Sequence, residues 1–172
     1  MSTIHYCHQW SRHYKEAIDL LSDDDARNAY EARTLYTALL GDMNRPQCFV
    51  ESNMDYLGVE FLDHHLREHV AYQFQEKRPG RVFLCMAMRR DYIEDSDKVR
   101  RGASFVFKED GSTIVHREDF VAGILERADT HLDVSQNWEA YPCFGDYEAL
   151  IQRTREKTWG EIWETCLKDM EV

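Results

Sequence analysis

The sequence predicts an α+β fold with an N-terminal helical hairpin, a central antiparallel β-meander sheet, and C-terminal amphipathic helices packed on that sheet. Three observations carry the prediction. Apolar residues recur at helical spacing over the first forty positions, alternation and turn dipeptides dominate from 66 to 134, and helical spacing returns after 146. With 172 residues, 43% of them apolar and 12% aromatic, the chain can build a core of its own. No repeat, low-complexity tract or linker divides it, so residues 1–172 are read as one domain.

In the first segment Trp10, Tyr14, Ala17, Ile18 and Leu21 form one apolar stripe at helical spacing. Ser22 then offers a hydroxyl to cap a second helix, and Asp23, Asp24 and Asp25 meet the positive end of its dipole. Ala26, Tyr30, Tyr36, Leu39 and Leu40 continue it, with Gly41 as the C′ residue. Pro46 breaks that helix, and strands are expected at Cys48-Phe49-Val50 and from Tyr56 to Leu62. Leu66, Val70, Tyr72 and Phe74 alternate with Arg67, His69, Gln73 and Gln75, the signature of a half-buried strand. Arg78-Pro79-Gly80 makes a turn, and Val82 to Met88 reads as a strand covered on both faces. The charged stretch from Asp91 to Arg101 is expected as a loop. Phe105 and Phe107 then share a face, Asp110-Gly111 predicts a type I′ hairpin, and two further strands run from Thr113 to Phe120 and from Ile124 to Val134. Asp146 can cap a short helix bearing Tyr147, Leu150 and Ile151. Thr158 and Glu161 make a capping box ahead of the stripe Trp159, Ile162, Trp163, Cys166 and Leu167.

Composition narrows the function. Thirty-two acids against twenty-one bases give a formal charge of −11, a field that repels phosphate backbones and anionic lipid and speeds encounter with a basic partner. Neither nucleic acid nor membrane is expected as a partner. No apolar run reaches the roughly 20 residues that span a bilayer, and Met1–Gln9 lacks the pattern of a secretory signal. Cys7, Cys48, Cys85, Cys143 and Cys166 are scattered and form no C-x-x-C, as expected of reduced thiols in the cytoplasm.

Chemistry-bearing motifs are few. His65-Leu66-Arg67-Glu68-His69 matches H-x-x-E-H, which on a helix would place two zinc ligands on one face with Glu68 polarising water. These five residues resemble the inverted-zincin metallopeptidases, and a zinc-dependent hydrolase is the alternative function they imply. If the segment is a strand, His65 and His69 stand about 13 Å apart at ~3.3 Å per residue, and no single ion joins them. His5, Cys7, His8 and His13 offer ligand types without a spacing that converges them. A nucleophile elbow, a Walker A loop and a dinucleotide fingerprint are all missing, so no catalytic residue, metal or cofactor is assigned. A small-ligand-binding regulatory module, with a pocket between sheet and helices, is a further alternative.

What remains is acid beside aromatic. Asp95 and Asp97 lie in the charged loop, while Trp138, Tyr141, Asp146 and Glu148 combine rings with carboxylates. Rings supply interface anchors and carboxylates steer a basic protein surface. The competing structural reading is a connection folded back over the sheet.

The segments Gly102–Gly111, Asp133–Glu139 and Phe144–Glu148 resemble small α+β bacterial immunity proteins, made beside polymorphic or contact-delivered toxins; the likeness spans about residues 81–151. It implies an intracellular, non-enzymatic inhibitor that binds one cognate toxin, itself expected to be basic. Asp95, Asp97, Trp138, Tyr141, Asp146 and Glu148 are the residues expected to meet that partner.

Overall fold

The computed structural model describes residues 3–155. Its order is β1 (Ile4–Ser11), β2 (Glu16–Leu21), α1 (Asp23–Glu31), β3 (Tyr36–Asp42), β4 (Arg45–Asn53), β5 (Tyr56–Leu62), β6 (Glu68–Arg78), β7 (Arg81–Tyr92), β8 (Val99–Phe107), β9 (Ser112–Asp119), β10 (Ile124–His131) and β11 (Trp138–Ala140). A 3-10 turn at Ser135–Asn137 precedes the last strand. All strands join one antiparallel sheet in the order β10-β9-β8-β7-β6-β5-β4-β3-β1-β2, and β11 pairs with the start of β7 where β8 has ended.

The expected α+β architecture is therefore corrected: the protein is a β-rich sheet, and α1 is the one α-helix among the described residues. The N-terminal helical hairpin is instead β1, β2, a single helix and β3. Its first stripe misled because it joins two strands and the turn between them: Trp10 is on β1, Tyr14 is exposed in the turn, and Ala17, Ile18 and Leu21 are on β2. Within β1 the neighbours Tyr6 and Cys7 are both buried, which hides the two-residue period there. The same holds in β3, where Tyr36, Thr37, Ala38, Leu39 and Leu40 are buried in succession. Ser22 does cap α1, its Oγ accepting from the Asp25 N–H at 3.1 Å, but the helix ends at Glu31 and Arg33 turns into the left-handed region at φ 56°. Gly41 carries φ +104° at a bulge between β3 and β4, where a side chain would strain the backbone.

The expected meander is present and longer than read. The stretch Asp91 to Arg101, expected as a loop, is a loop only over 93–98; Asp91 and Tyr92 end β7, and Val99 to Arg101 open β8. The β8–β9 hairpin turns through Lys108–Gly111, and of these residues Gly111 alone has positive φ, so the turn is not type I′. The short helix at Tyr147–Ile151 is a single turn in which the Leu150 and Ile151 N–H groups both donate to the Tyr147 carbonyl. The predicted helix at 158–167 lies outside the described residues.

One register row explains the core. Leu21, Tyr6, Ala38, Val50, Val59, Tyr72, Ala87, Phe105, Val115 and Ala128 face each other in turn across ten strands. On this first face the main core assembles and is sealed by α1, by Val134 ahead of β11, and by the segment after β11, which brings in Tyr147 and Leu150. Tyr147 and Tyr36 share a buried hydrogen bond between hydroxyls at 3.1 Å; burial pushes Tyr36 up to about 12 and raises Tyr147 as well.

The second face is polar over much of its area, with a smaller cluster at one end. Cys7, Trp10, Leu39, Phe49 and Leu62 form that cluster, with Ala17, Met43 and Leu66 against it. β1 follows β3 only as far as Cys7, and its far half folds across this second face. Consequently the tip of the β1–β2 hairpin stands over β5, β6 and the β7–β8 loop, where Lys15 reaches Asp97 at 2.8 Å.

Candidate functional site

Beneath the hairpin tip the second face is hollow. Two adjoining cavities of about 490 and 480 Å³ share Arg12, Glu68 and Arg90 in their walls. The larger runs from Trp10 and His13 to Tyr92 and Val99. The other lies over β4 to β7, floored by Gly58, Ala71 and Gln73 and walled by Met86, Met88 and Tyr56. Gly58 stands in the row Glu51–Gly58–Gln73–Met86, and a Cβ built there meets nothing closer than a backbone oxygen at 4.0 Å. The hollow thus owes part of its depth to a missing side chain.

Two carboxyls mark the place where the cavities meet. Glu60 belongs to the row Phe49–Glu60–Ala71–Met88. Glu68 pairs with Leu62, one step along the same face. Their side chains are 15% and 10% exposed. Arg12 contacts Glu68 directly and stands 3.8 Å from Glu60, and Arg90 lies 3.3 Å from Glu68. Glu60 Oε2 is sequestered without a hydrogen-bond partner. Burial, reinforced by the negative Glu68, pushes the Glu60 carboxyl up to about 8, so it is largely protonated at neutral pH. A protonated carboxyl can donate, and it ionises when a positive charge approaches.

The six residues expected from sequence do not form one patch. Trp138 pairs with Phe83 near the start of β7, whereas Asp95 and Asp97 follow its end, about 30 Å away at ~3.3 Å per residue. Trp138 is half-buried against Phe83, with the Arg78 guanidinium 4.5 Å and that of Arg81 5.4 Å from its ring centre. Tyr141 is half-buried too, under Arg33 at 3.8 Å. The segment carrying them folds back over the core, with Asp146 and Glu148 left exposed. Asp95 is 91% exposed and Asp97 binds Lys15.

The H-x-x-E-H segment is not a helix. His65 sits in the turn before β6, while Glu68 and His69 open the strand. His65 Nε2 meets Asp95 at 3.1 Å, and His69 Nε2 meets Arg153 at 3.3 Å. Nor do His5, Cys7, His8 and His13 converge: Cys7 points into the second cluster, where its thiol donates to the Gln9 carbonyl. Among the described residues no group of three or more His, Cys, Asp or Glu side chains is placed to hold a metal ion.

Within the motif it is Arg67 that organises structure. Its guanidinium pairs with Asp63 at 2.7 Å, donates to the carbonyl oxygens of Glu94 and Ser96, and covers the Tyr92 ring at 4.4 Å. The β5–β6 turn is thereby tied to the β7–β8 loop.

Sequence reasoning missed Arg12, Gly58, Glu60 and Arg90. A signal was present in Tyr56–Leu62, where Gly58 and Glu60 interrupt an apolar strand two residues apart and so face the same way. The chain matches no family model, no curated protein and no solved structure. Among the described residues no helix is long and apolar enough to cross a membrane.

Proposed function

We propose that the protein is a binding module for a small molecule, received on the second face beneath the β1–β2 hairpin. The observation that carries this reading is the pair of adjoining cavities, about 480 and 490 Å³, meeting at a buried carboxyl pair. Small-molecule sites commonly measure ~300–1,000 Å³ and combine apolar walls with a few fixed polar groups. Met86, Met88 and Tyr56 supply such walls, while Glu60, Gln73 and Arg90 supply the polar groups. The reading sets the protein in the cytoplasm, supported by Cys7, Cys48, Cys85 and Cys143 being free thiols.

Methionine methyl groups report on this groove directly. Protein carrying carbon-13 methionine methyls is titrated with a fragment library and with the small-molecule extract of its native cells. Ligands are expected to shift Met86 and Met88 while leaving Met43, which packs in the second cluster, in place. Gly58→Val fills the floor without backbone strain and suits a strand, so it is expected to fold and to abolish those shifts. The reading is wrong if nothing moves Met86 and Met88, or if Gly58→Val leaves the shifts intact.

Inhibition of a basic toxin is the second reading, and the β7–β8 loop favours it. Arg67 holds that loop at two carbonyls, so Asp95 is presented on a fixed support at almost full exposure. Preorganised rim acids act mainly on association rate. Asp95→Lys with Asp97→Lys is expected to slow association with the basic product of a neighbouring reading frame and to flatten its salt dependence. An unchanged association rate would refute the steering role.

A further inference from the structure

We infer that the groove takes an organic cation, a small amine or guanidine with a short apolar body, whose charge lies against Glu60 and Glu68. This rests on the small-molecule reading above and names its ligand class. The argument begins with charge. The walls of the 480 Å³ cavity hold three carboxyls, Glu51, Glu60 and Glu68, against two guanidiniums, Arg12 and Arg90. One positive charge is missing. In the empty groove a proton on Glu60 makes up the deficit, because burial raises that carboxyl's affinity for it. A bound ammonium supplies the same charge from outside and lets the proton leave.

Geometry agrees with the charge count. Glu60 Oε2 is enclosed without a hydrogen-bond partner, an acceptor that an N–H of the ligand can satisfy. The protein already places one cation at this spot, since Arg12 from the hairpin tip touches Glu68 and approaches Glu60. Arg12 is 57% exposed and belongs to a short turn, so it can yield space without disturbing the sheet. The thioethers of Met86 and Met88 then face the apolar body of the ligand. In this cavity an anionic ligand would find only Arg12 and Arg90, both already paired with Glu68; the further cations Lys15 and Arg67 line the adjoining cavity and are paired with Asp97 and Asp63.

Four groups face Glu60 and set its response to pH: Glu51 from β4, Glu68 from β6, Arg90 from β7 and Arg12 from the hairpin tip. Because the folded Glu60 keeps its proton up to about pH 8 and the unfolded one loses it near 4.5, Glu60 favours the folded state at low pH. That contribution is lost as pH rises toward 8. Glu60→Gln keeps the neutral shape and is expected to flatten this loss between pH 4.5 and about 8 in thermal denaturation, which also shows that the variant folds.

The test uses the full chain and three matched probes: 4-phenylbutylamine, the neutral 4-phenylbutanol and the anionic 4-phenylbutyrate. Calorimetry in two buffers of different ionisation enthalpy counts protons, and Met86 and Met88 methyl shifts report occupancy. The amine is expected to bind best, to release close to one proton at pH 7, and to gain about tenfold in affinity from pH 6 to pH 7. Glu60→Gln is expected to abolish the proton release and the pH dependence. If the alcohol or the acid shifts both methyls and binds as well as the amine, the groove is a ligand site but the cation assignment fails. If the amine binds without proton release, or none of the three binds, the cation assignment fails too. A groove that then stays silent to every fragment and extract refutes the small-molecule reading along with it.

Discussion

Replacing Phe74 by alanine is expected to cost about 3–5 kcal/mol of folding stability, a large share of the ~5–15 kcal/mol that a domain of this size has in total. Phe74 is fully buried on β6, between Leu57 of β5 and Leu84 of β7, and both neighbours are fully buried as well. Each of those strands is hydrogen-bonded on both sides, so the sheet cannot close over the void and a cavity remains. Leu20→Ala is the matched control. Leu20 lies on edge strand β2 and is 60% exposed, so its loss stays within ~0.5 kcal/mol. Urea denaturation of the two variants measures the difference, and equal midpoints would mean that β6 is not central to the core.

Arg67→Ala is expected to cost about 3 kcal/mol, through a different mechanism. The substitution leaves the Asp63 carboxylate unpaired and takes a donor from the carbonyl oxygens of Glu94 and Ser96. Arg67→Lys restores a charge but not the planar fork that reaches three acceptors and covers Tyr92, so it recovers little. The effect has a pH signature. Burial pushes the Asp63 carboxyl up, but hydrogen bonds from the Arg67 side chain and from the N–H groups of Arg67 and His65 outweigh it and hold the carboxyl below its usual range. A depressed carboxyl stabilises the fold above its unfolded pKa, near 3.8, and that contribution disappears as pH falls through the folded value. Wild type therefore loses stability below about pH 4 more steeply than Arg67→Ala does. Parallel acid limbs in the two denaturation profiles would show that the pairing contributes nothing.

How legible the fold was in the sequence depended on whether a strand has one covered face or two. Tyr56–Leu62 and the alternating run Val70, Tyr72 and Phe74 were readable because one face carries the core and the other is more polar. Tyr36–Leu40 was not, because Leu39 packs in the second cluster while Ala38 and Leu40 pack in the first, leaving an apolar run without period. At the site the limit was distance along the chain. Glu60, Glu68 and Arg90 meet through the pairing of β5, β6 and β7, and Arg12 joins them only when the β1–β2 hairpin folds across the sheet, a crossing that no local pattern encodes. The aromatic cluster after Trp138 was visible as a cluster, but its covering arginines come from elsewhere in the chain, Arg33 from the residues after α1 and Arg78 and Arg81 from the β6–β7 turn. What the sequence could have flagged was the conflict inside β5: a glycine and an acid in a strand that otherwise wants to be apolar.

The seal on the first face has a consequence for how the protein is made. From β4 to β10 each strand pairs with the one just before it, so the growing sheet can add hairpins as they leave the ribosome. Its apolar face, however, stays open until the chain has been extended past Leu150. Tyr36 then finds the hydroxyl of Tyr147, and β11 fills the place beside β7 that β8 left vacant. A nascent chain stalled before that point holds a nearly complete sheet whose hydrophobic side is covered by α1 alone, a state in which chaperone capture and self-association compete with completion.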